Sequence, residues 1–415
     1  MRFTVPQVFS TVAAALWSRR LRAGLTILGI TIGVTSMVTI SSILLGLRNG
    51  VATVFRQLGT ENVFITKFDP ESTDPMPVQS RRRPMRPEYA EILHQLCPSV
   101  EDVSLTIYVP SVWHGRPLTA RVRGYEADRI VLSGRSANHY DVAPRDVQSG
   151  RTFVSEEDRR AAHVAIIGHQ IAETVFPGQD PVGRALTVDG AEFTIVGVFE
   201  KAKGGFLGEN NQDREIVIPL RTAHLRYPQL AEYLLTARAA PGELKTATEE
   251  IREILHRIRR IPADQPDDFG LITADQVIRA FDTLFAIVLA VAVAISSVAL
   301  VVGGIGVMNV MLIGVTERTA EIGLRKAVGA RGLDIVRQFL LEALFLTGIG
   351  GLLGSAAAGV AILVIDALLP ALSCPLSGWA VLLGFGSSLL VGVFFGVWPA
   401  MKASSLDPVV ALRYE

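Results

Sequence analysis

Glu317, Arg318, Glu321, Arg325 and Lys326 crowd into one short stretch, TERTAEIGLRKAVGAR, beginning at Thr316. Glu317 and Glu321 are four apart, as are Glu321 and Arg325, so the spacing predicts a short amphipathic helix carrying an i,i+4 ion pair. Gly329 would stop it, and Leu333 to Phe339 would open the next helix. Such a segment breaks no covalent bonds. Its chemistry is that of a charged knob gripped by another surface.

Bond-making chemistry finds no comparable constellation. The pattern G-x-x-x-x-G-K-[ST] does not occur, so no P-loop cradles a nucleotide in this sequence. Gly303, Gly304 and Gly306 cluster inside an apolar run rather than between a strand and a helix, which suits close helix approach. The seven histidines lack metal-ligand spacing, His163 and His169 merely flanking an apolar strand. No G-x-S-x-G elbow is present. Glu342 and Asp366 bracket an apolar run that follows another containing Asn309. Acids inside a membrane often mark transport paths, but near helix ends they reach the interface at little cost, which weakens a secondary-transporter reading. Cys97 and Cys374 belong to different regions and make no disulfide framework. The expectation is a chain that is not an enzyme, with no catalytic, cofactor or metal site.

The elements that must position the charged knob are apolar. Hydrophobic residues make up 49% of the 415 and charged ones 19%, but the average hides two populations. Residues from about 48 to 281 carry charges throughout; most of the remainder does not. A helix needs roughly 20 apolar residues to cross a bilayer. That criterion predicts spans at 23–47, about 282–315, about 339–365 and about 379–400, with Pro370, Pro375 and Gly378 breaking the start of the last charge-free run. The run from Thr283 to Thr316 would extend about 51 Å, well beyond the apolar thickness of a membrane. Strong tilt or projection as a stalk would absorb the excess, and Ile278 and Phe281, continuing the pattern upstream, favour a stalk.

Lys and Arg near the spans orient the chain. Arg2, Arg19, Arg20 and Arg22 precede the first span, Arg318, Arg325, Lys326, Arg331 and Arg337 lie in the segment 316–337, and Lys402 and Arg413 follow the fourth. Both termini and 316–337 are therefore predicted on the cytoplasmic side, with residues 48–281 outside. Residues 1–22 read as a cytoplasmic amphipathic segment, since Val8, Val12, Ala15 and Leu16 recur at helical spacing. The run after Arg22 is too long for a signal-peptide core and reads as an uncleaved anchor. Zero net charge gives no reason to expect nucleic acid.

In the outer region, strands are predicted at Glu61–Phe68, Val100–Tyr108, Tyr233–Ala237 and Phe269–Thr273, with helices at Glu88–Leu96 and about Glu243–Arg260. Pro70, Pro75, Pro77, Pro84 and Pro87 mark a stretch expected to be irregular and mobile. Two β-α-β units of this kind suggest a ferredoxin-like α/β sandwich built from about 48–109 and 231–281. Between them, about 110–230 reads as a β-rich inserted lobe with strands near 122–124, 164–167, 185–188, 193–199 and 216–219 and a helix near 170–175. The fold class is thus an all-α four-helix membrane domain joined to an α/β extracytoplasmic domain. Gly29/Gly33, Gly350/Gly354 and Gly392/Gly396 match G-x-x-x-G, which predicts tight packing and a place for dimer contacts.

The segment VVGGIGVMNVMLIGVTERTAEIGLRKAVGAR, with QFLLEALFL and GGLLG after it, resembles the permease domain shared by MacB-type exporters, lipoprotein-release permeases and the FtsX group. The stretches GRTF, HVAIIG, VFPGQDPVG and FTIVGV resemble the periplasmic core domain of the MacB type, and LRAGLTILGITIGV is similar to that family's first span. The resemblance implies a permease subunit of an ATP-binding-cassette exporter in the bacterial inner membrane. It implies a homodimer, a separate cytoplasmic ATPase that binds the ATP and Mg, and a periplasmic adaptor or outer-membrane channel as a further partner. The ATPase-coupling residues would be Glu317, Arg318, Glu321, Gly323, Arg325, Lys326, Gly329 and Ala330. Work would pass by mechanotransmission, exporting antibiotics, peptides or lipoproteins from the periplasmic side; the alternative is an FtsX-like scaffold that controls a cell-wall hydrolase.

Overall fold

The computed structural model describes residues 20–412 except 58, 70, 71, 73, 74, 114, 123, 203–210, 263 and 370–373. The surface helix predicted before Arg20, and Arg413, lie outside the described residues. The chain divides into two compact units, one comprising Arg48–Asp282 and the other the chain before and after it.

In chain order, α1 (Arg20–Gln57) leads to β1 (Asn62–Thr66), α2 (Met76–Gln79), α3 (Glu88–Leu96) and β2 (Val100–Val109). The short strands β3 (Val112–Trp113), β4 (Arg116–Pro117), β5 (Ala120–Val122) and β6 (Tyr125–Ala127) precede β7 (Val131–Arg135). Then come α4 (His139–Val142), β8 (Val147–Gly150), α5 (Ser155–Arg159), β9 (Val164–Ile167), α6 (His169–Val175), β10 (Ala185–Val188) and β11 (Ala191–Phe199). β12 (Glu215–Pro219), α7 (Leu220–Arg226), β13 (Leu234–Ala239), α8 (Leu244–Arg259) and β14 (Gly270–Thr273) complete that unit. The rest is helical: α9 (Ala274–Glu317), α10 (Thr319–Ala327), α11 (Gly332–Leu368), α12 (Gly378–Ser404) and α13 (Pro408–Leu412).

The α/β unit contains the ferredoxin-like arrangement. Its four framing strands lie in the order β14-β1-β13-β2, every pair antiparallel, which is the split β-α-β order. Alternation explains the register: Val63 and Ile65 of β1 and Leu235 and Ala237 of β13 enter the core. Leu93 of α3 and Ile251 and Leu255 of α8 enter the same apolar cluster. The inserted lobe is not detached from this frame. β7 pairs antiparallel with β2, from Thr106↔Arg135 to Val109↔Leu132, and the ladder continues through β12, β9, β11, β10, β5 and β6.

β7 was absent from the predicted strands for a physical reason. Its sequence, VLSGR, buries Ser133, Gly134 and Arg135, so polar residues occupy positions that alternation expects to be apolar. The proline-rich stretch is irregular as expected where it is described, apart from one helical turn, but it is held in place by buried contacts. α2 lies within it, Gln79 is buried with Oε1 accepting from the Asp69 amide at 2.8 Å, and Met85 is fully buried. Fully buried Arg259 holds the segment's end, donating to Asp268 Oδ1 and Oδ2 at 2.6 and 2.8 Å and to the Arg83 carbonyl at 2.8 Å.

Among the described residues four helices, α1, α9, α11 and α12, are long and apolar enough to cross a membrane. Three overrun the predicted spans: α1 runs to Gln57, α9 starts at Ala274 and α11 at Gly332. Charge need not end a helix that leaves the apolar layer, and Arg48 and Asp282 satisfy each other through Nε–Oδ1 at 2.5 Å and Nη2–Oδ2 at 3.0 Å. Small residues seat the spans. A Cβ on Gly33 would meet Leu300 Cγ at 2.8 Å, one on Gly350 Ile30 Cγ2 at 2.8 Å, and one on Gly396 Ala343 Cβ at 2.6 Å. Gly29 and Gly303 approach backbone to backbone. Thr35 Oγ1 donates across the α1–α11 seam to the Gly354 carbonyl at 3.0 Å. All three G-x-x-x-G pairs therefore make the tight helix packing expected of them, here between helices of one chain.

Candidate functional site

Arg318 ends α9 by leaving helical geometry, with φ −103° and ψ 20°, and α10 starts at the next residue. α10 closes on Gly329, whose φ of +99° suits glycine. Gly329 N donates to the Lys326 carbonyl and Ala330 N to the Arg325 carbonyl, both at 3.0 Å, the paired bonds of a Schellman terminus. Asp334 Oδ2 then accepts from the Arg331 amide at 3.1 Å at the start of α11.

The inner face of α10 is fixed to its own unit. Ile322 is buried in the helical core with Val315, Ile335 and Phe339. Gly323 lies so close to α13 that a Cβ would stand 2.7 Å from Ala411 Cβ. Arg318 Nη1 donates to the Glu342 oxygens at 3.2 and 3.4 Å, and Gln338 Nε2 to Oε1 at 3.5 Å. Arg325 bridges to Gln338 Oε1 at 2.8 Å and to Glu321. Lys326 Nζ donates to the carbonyls of Ser404 at 2.5 Å and Leu406 at 2.7 Å, neutralising the end of α12 where such a charge is favourable.

The eight sequence-predicted coupling residues therefore separate. Glu317, Glu321 and Gly329 are exposed, Gly323 is buried, and Ala330 packs partly against the core. Arg318, Arg325 and Lys326 are occupied internally. Glu342 does not reach the interface as expected, being buried and paired with Arg318. The open face of α10 consists of Ala320, Glu321, Leu324, Ala327 and Val328, spaced three and four apart on one side of the helical turn, with Glu317 exposed at the end of α9 just before the break at Arg318. Leu324 is 56% and Val328 72% exposed. Neither was among the predicted site residues. Their signal was present as apolar side chains opposite Ile322, at positions that a solvated helix would give to charge. Elsewhere, His169 contacts Gln148 and Glu173, and His163 lies against the Phe193 ring. Among the described residues no group of His, Cys, Asp and Glu is arranged to hold a metal.

Comparison with known proteins gives this arrangement its context. The curated relatives include the macrolide export ATP-binding/permease protein MacB of Bdellovibrio bacteriovorus, 32% identical over 417 residues, covering 99% of this chain and 61% of the relative. They also include the pyoverdine export ATP-binding/permease protein PvdT of Pseudomonas fluorescens, 33% identical over 408 residues, covering 96% of this chain and 58% of that protein. The chain spans about three fifths of the length of these relatives. Among solved structures, the periplasmic region of MacB from Actinobacillus actinomycetemcomitans aligns with a TM-score of 0.44 and 13% identity, over 55% of this chain and 95% of that one. The MacB-like periplasmic core domain model matches residues 23–254 and the FtsX-like permease C-terminal model residues 281–408. With four apolar helices flanking a mixed α/β unit, this multi-pass membrane protein belongs to the family of permeases that pair a MacB-like periplasmic core domain with an FtsX-like permease domain.

Proposed function

We propose that the chain is the permease part of an ATP-driven exporter that works by mechanotransmission. An ATP-binding-cassette ATPase grips the open face of α10, and its closure moves α9. That helix is unbroken for 44 residues, about 66 Å at 1.5 Å per residue. A displacement at Glu317 therefore has a stiff element to follow toward Ala274. The ATP and Mg belong to that ATPase, since the 415 residues contain no P-loop pattern. Two copies of the permease act together, with their termini and α10 in the cytoplasm and Arg48–Asp282 outside. The cargo is of the antibiotic, peptide or lipoprotein kind and is taken from the outer side. A periplasmic adaptor or outer-membrane channel completes the route.

The observation that carries this reading is the two-faced character of α10. Internal bonds brace it from behind, while Leu324 and Val328 present apolar surface outward, the form of a helix that enters a groove. The test is Leu324→Asp with Val328→Asp in protein purified with its ATPase and placed in nanodiscs. Loss of ATPase association, and at least a ten-fold fall in ATP hydrolysis with all four spans inserted, is expected. Retention of both would overturn the reading.

A further inference from the structure

An amide stands open on the apolar part of α9. Asn309 is exposed, and among the described residues none hydrogen-bonds its side chain. Ser297 and Thr316, also exposed on this helix, satisfy themselves by donating to the Val293 and Ile313 carbonyls at 2.7 and 2.8 Å. Asn309 makes no such bond. It lies eight residues before Glu317, about 12 Å along the axis, and so well inside an apolar layer about 30 Å thick. Its side chain is too short to reach the aqueous boundary from there. Hydrocarbon offers no partner to the two donors and one acceptor of an amide, and leaving them unsatisfied is costly.

The neighbours of Asn309 on the helix indicate which partner fits. Ile295, Val298, Val302, Ile305, Asn309 and Leu312 follow one another at intervals of three and four residues, the spacing of a seam between two supercoiled helices. Ile295, Val298, Val302 and Ile305 are 42–68% exposed. The far side of α9 is already occupied, Gly303 lying against Ile30 and Gly304 against Phe395. The G-x-x-x-G pairs are likewise taken up within the chain, so contact between copies needs another surface. Two copies inserted in one membrane share an orientation, and their α9 helices therefore run parallel. A two-fold axis along a parallel seam sets each residue opposite its own counterpart. Asn309 then meets an amide that accepts where it donates and donates where it accepts. Lipid satisfies neither half.

We propose that the face of α9 carrying Ile295 to Leu312 packs against the same face of a second copy, with Asn309 hydrogen-bonded to Asn309 of the partner subunit and fixing the register of the two helices. This rests on the reading that two copies act together, and names the surface and the residue that join them.

The test measures energy transfer between donor- and acceptor-labelled full chains in liposomes as added lipid dilutes them. The natural protein is expected to associate. Asn309→Leu should weaken association about three- to thirty-fold, the range for polar pairing between spans, and Asn309→Gln, which keeps an amide, should weaken it less. Leucine suits lipid better than asparagine, so poor insertion cannot produce that loss. In chains carrying Cys97→Ala and Cys374→Ala, Val298→Cys and Val302→Cys should form disulfide-linked pairs on oxidation. Ser297→Cys, about 100° round the helix from Val298, should not. If the cysteine-free background fails to fold, the energy-transfer series decides alone. Association undiminished by Asn309→Leu, or cross-linking through Ser297→Cys in place of the seam positions, would overturn the proposal and leave the two-copy reading standing. Chains that never associate would overturn both.

Discussion

Replacing Arg318 by Met would strand Glu342 inside the helical unit. The Glu342 side chain is 8% exposed and that of Arg318 22%. Without the guanidinium, the carboxylate is left with the long Gln338 bond of 3.5 Å on α11. Breaking a fully buried pair costs about 3–5 kcal/mol. Because Arg318 retains some contact with solvent, the expected loss for Arg318→Met is lower, about 2–3 kcal/mol. Glu342→Gln keeps an acceptor for Arg318 and loses only the charge, so about 1 kcal/mol is expected. The double variant Arg318→Met/Glu342→Gln leaves no buried ion and should fall short of the sum by about 1–2 kcal/mol, the coupling of residues in contact. Equilibrium unfolding in mixed micelles measures all three. A change below about 0.5 kcal/mol for Arg318→Met, or strict additivity in the double variant, would refute the idea that this pair ties the α9–α10 corner to α11.

The remaining expectations use single sites. Gly303→Leu should destabilise by about 1–3 kcal/mol, because a Cβ there would stand 3.0 Å from the Ile30 backbone nitrogen and 2.8 Å from Ile30 Cγ1. Gly314→Ala on the same helix meets nothing within 4 Å, and should be neutral or stabilising by up to about 1 kcal/mol. Equal losses at both positions in the same unfolding assay would contradict the close crossing. His139 gives a pH dependence: burial, with Arg135 second, depresses its folded pKa. The unfolded chain therefore binds a proton below about pH 6.5 that the folded chain does not. Stability from this group is complete above that pH and declines as pH falls, by at most about 1.4 kcal/mol per pH unit. Thermal melts at pH 7.5 and 5.5 should show a larger drop for the natural protein than for His139→Asn; equal drops would remove His139 from the account.

Large apolar runs made the four spans readable, since few arrangements other than a membrane helix use so many uncharged residues in sequence. Period-two patterns revealed β1, β2, β13 and β14, and Gly329 marked the end of α10 because the positive φ there suits a residue without a Cβ. What escaped the reading depends on partners distant in sequence. β7 is a strand because Glu215, eighty residues beyond Arg135, satisfies the charge that burial would otherwise forbid. Gly323 looked like open surface in a charged segment, yet the pocket it leaves is filled by Ala411. Leu324 and Val328 resembled ordinary helix residues until Ile322 established which side of the turn faces inward. Local pattern thus reveals elements, whereas exposure depends on what the rest of the chain brings to them.

The antiparallel pairing of β2 with β7 limits how far this architecture can be cut and rejoined. Excising residues 110–230 as though they were a cassette would strip β2 of a neighbour and turn a ten-residue interior strand into an open rim ready to recruit other chains. Transplanting the inserted region into a sister permease would therefore succeed only if the recipient's strand were exchanged with it, so that variation in this family is better sought in the loops than by wholesale replacement of the lobe.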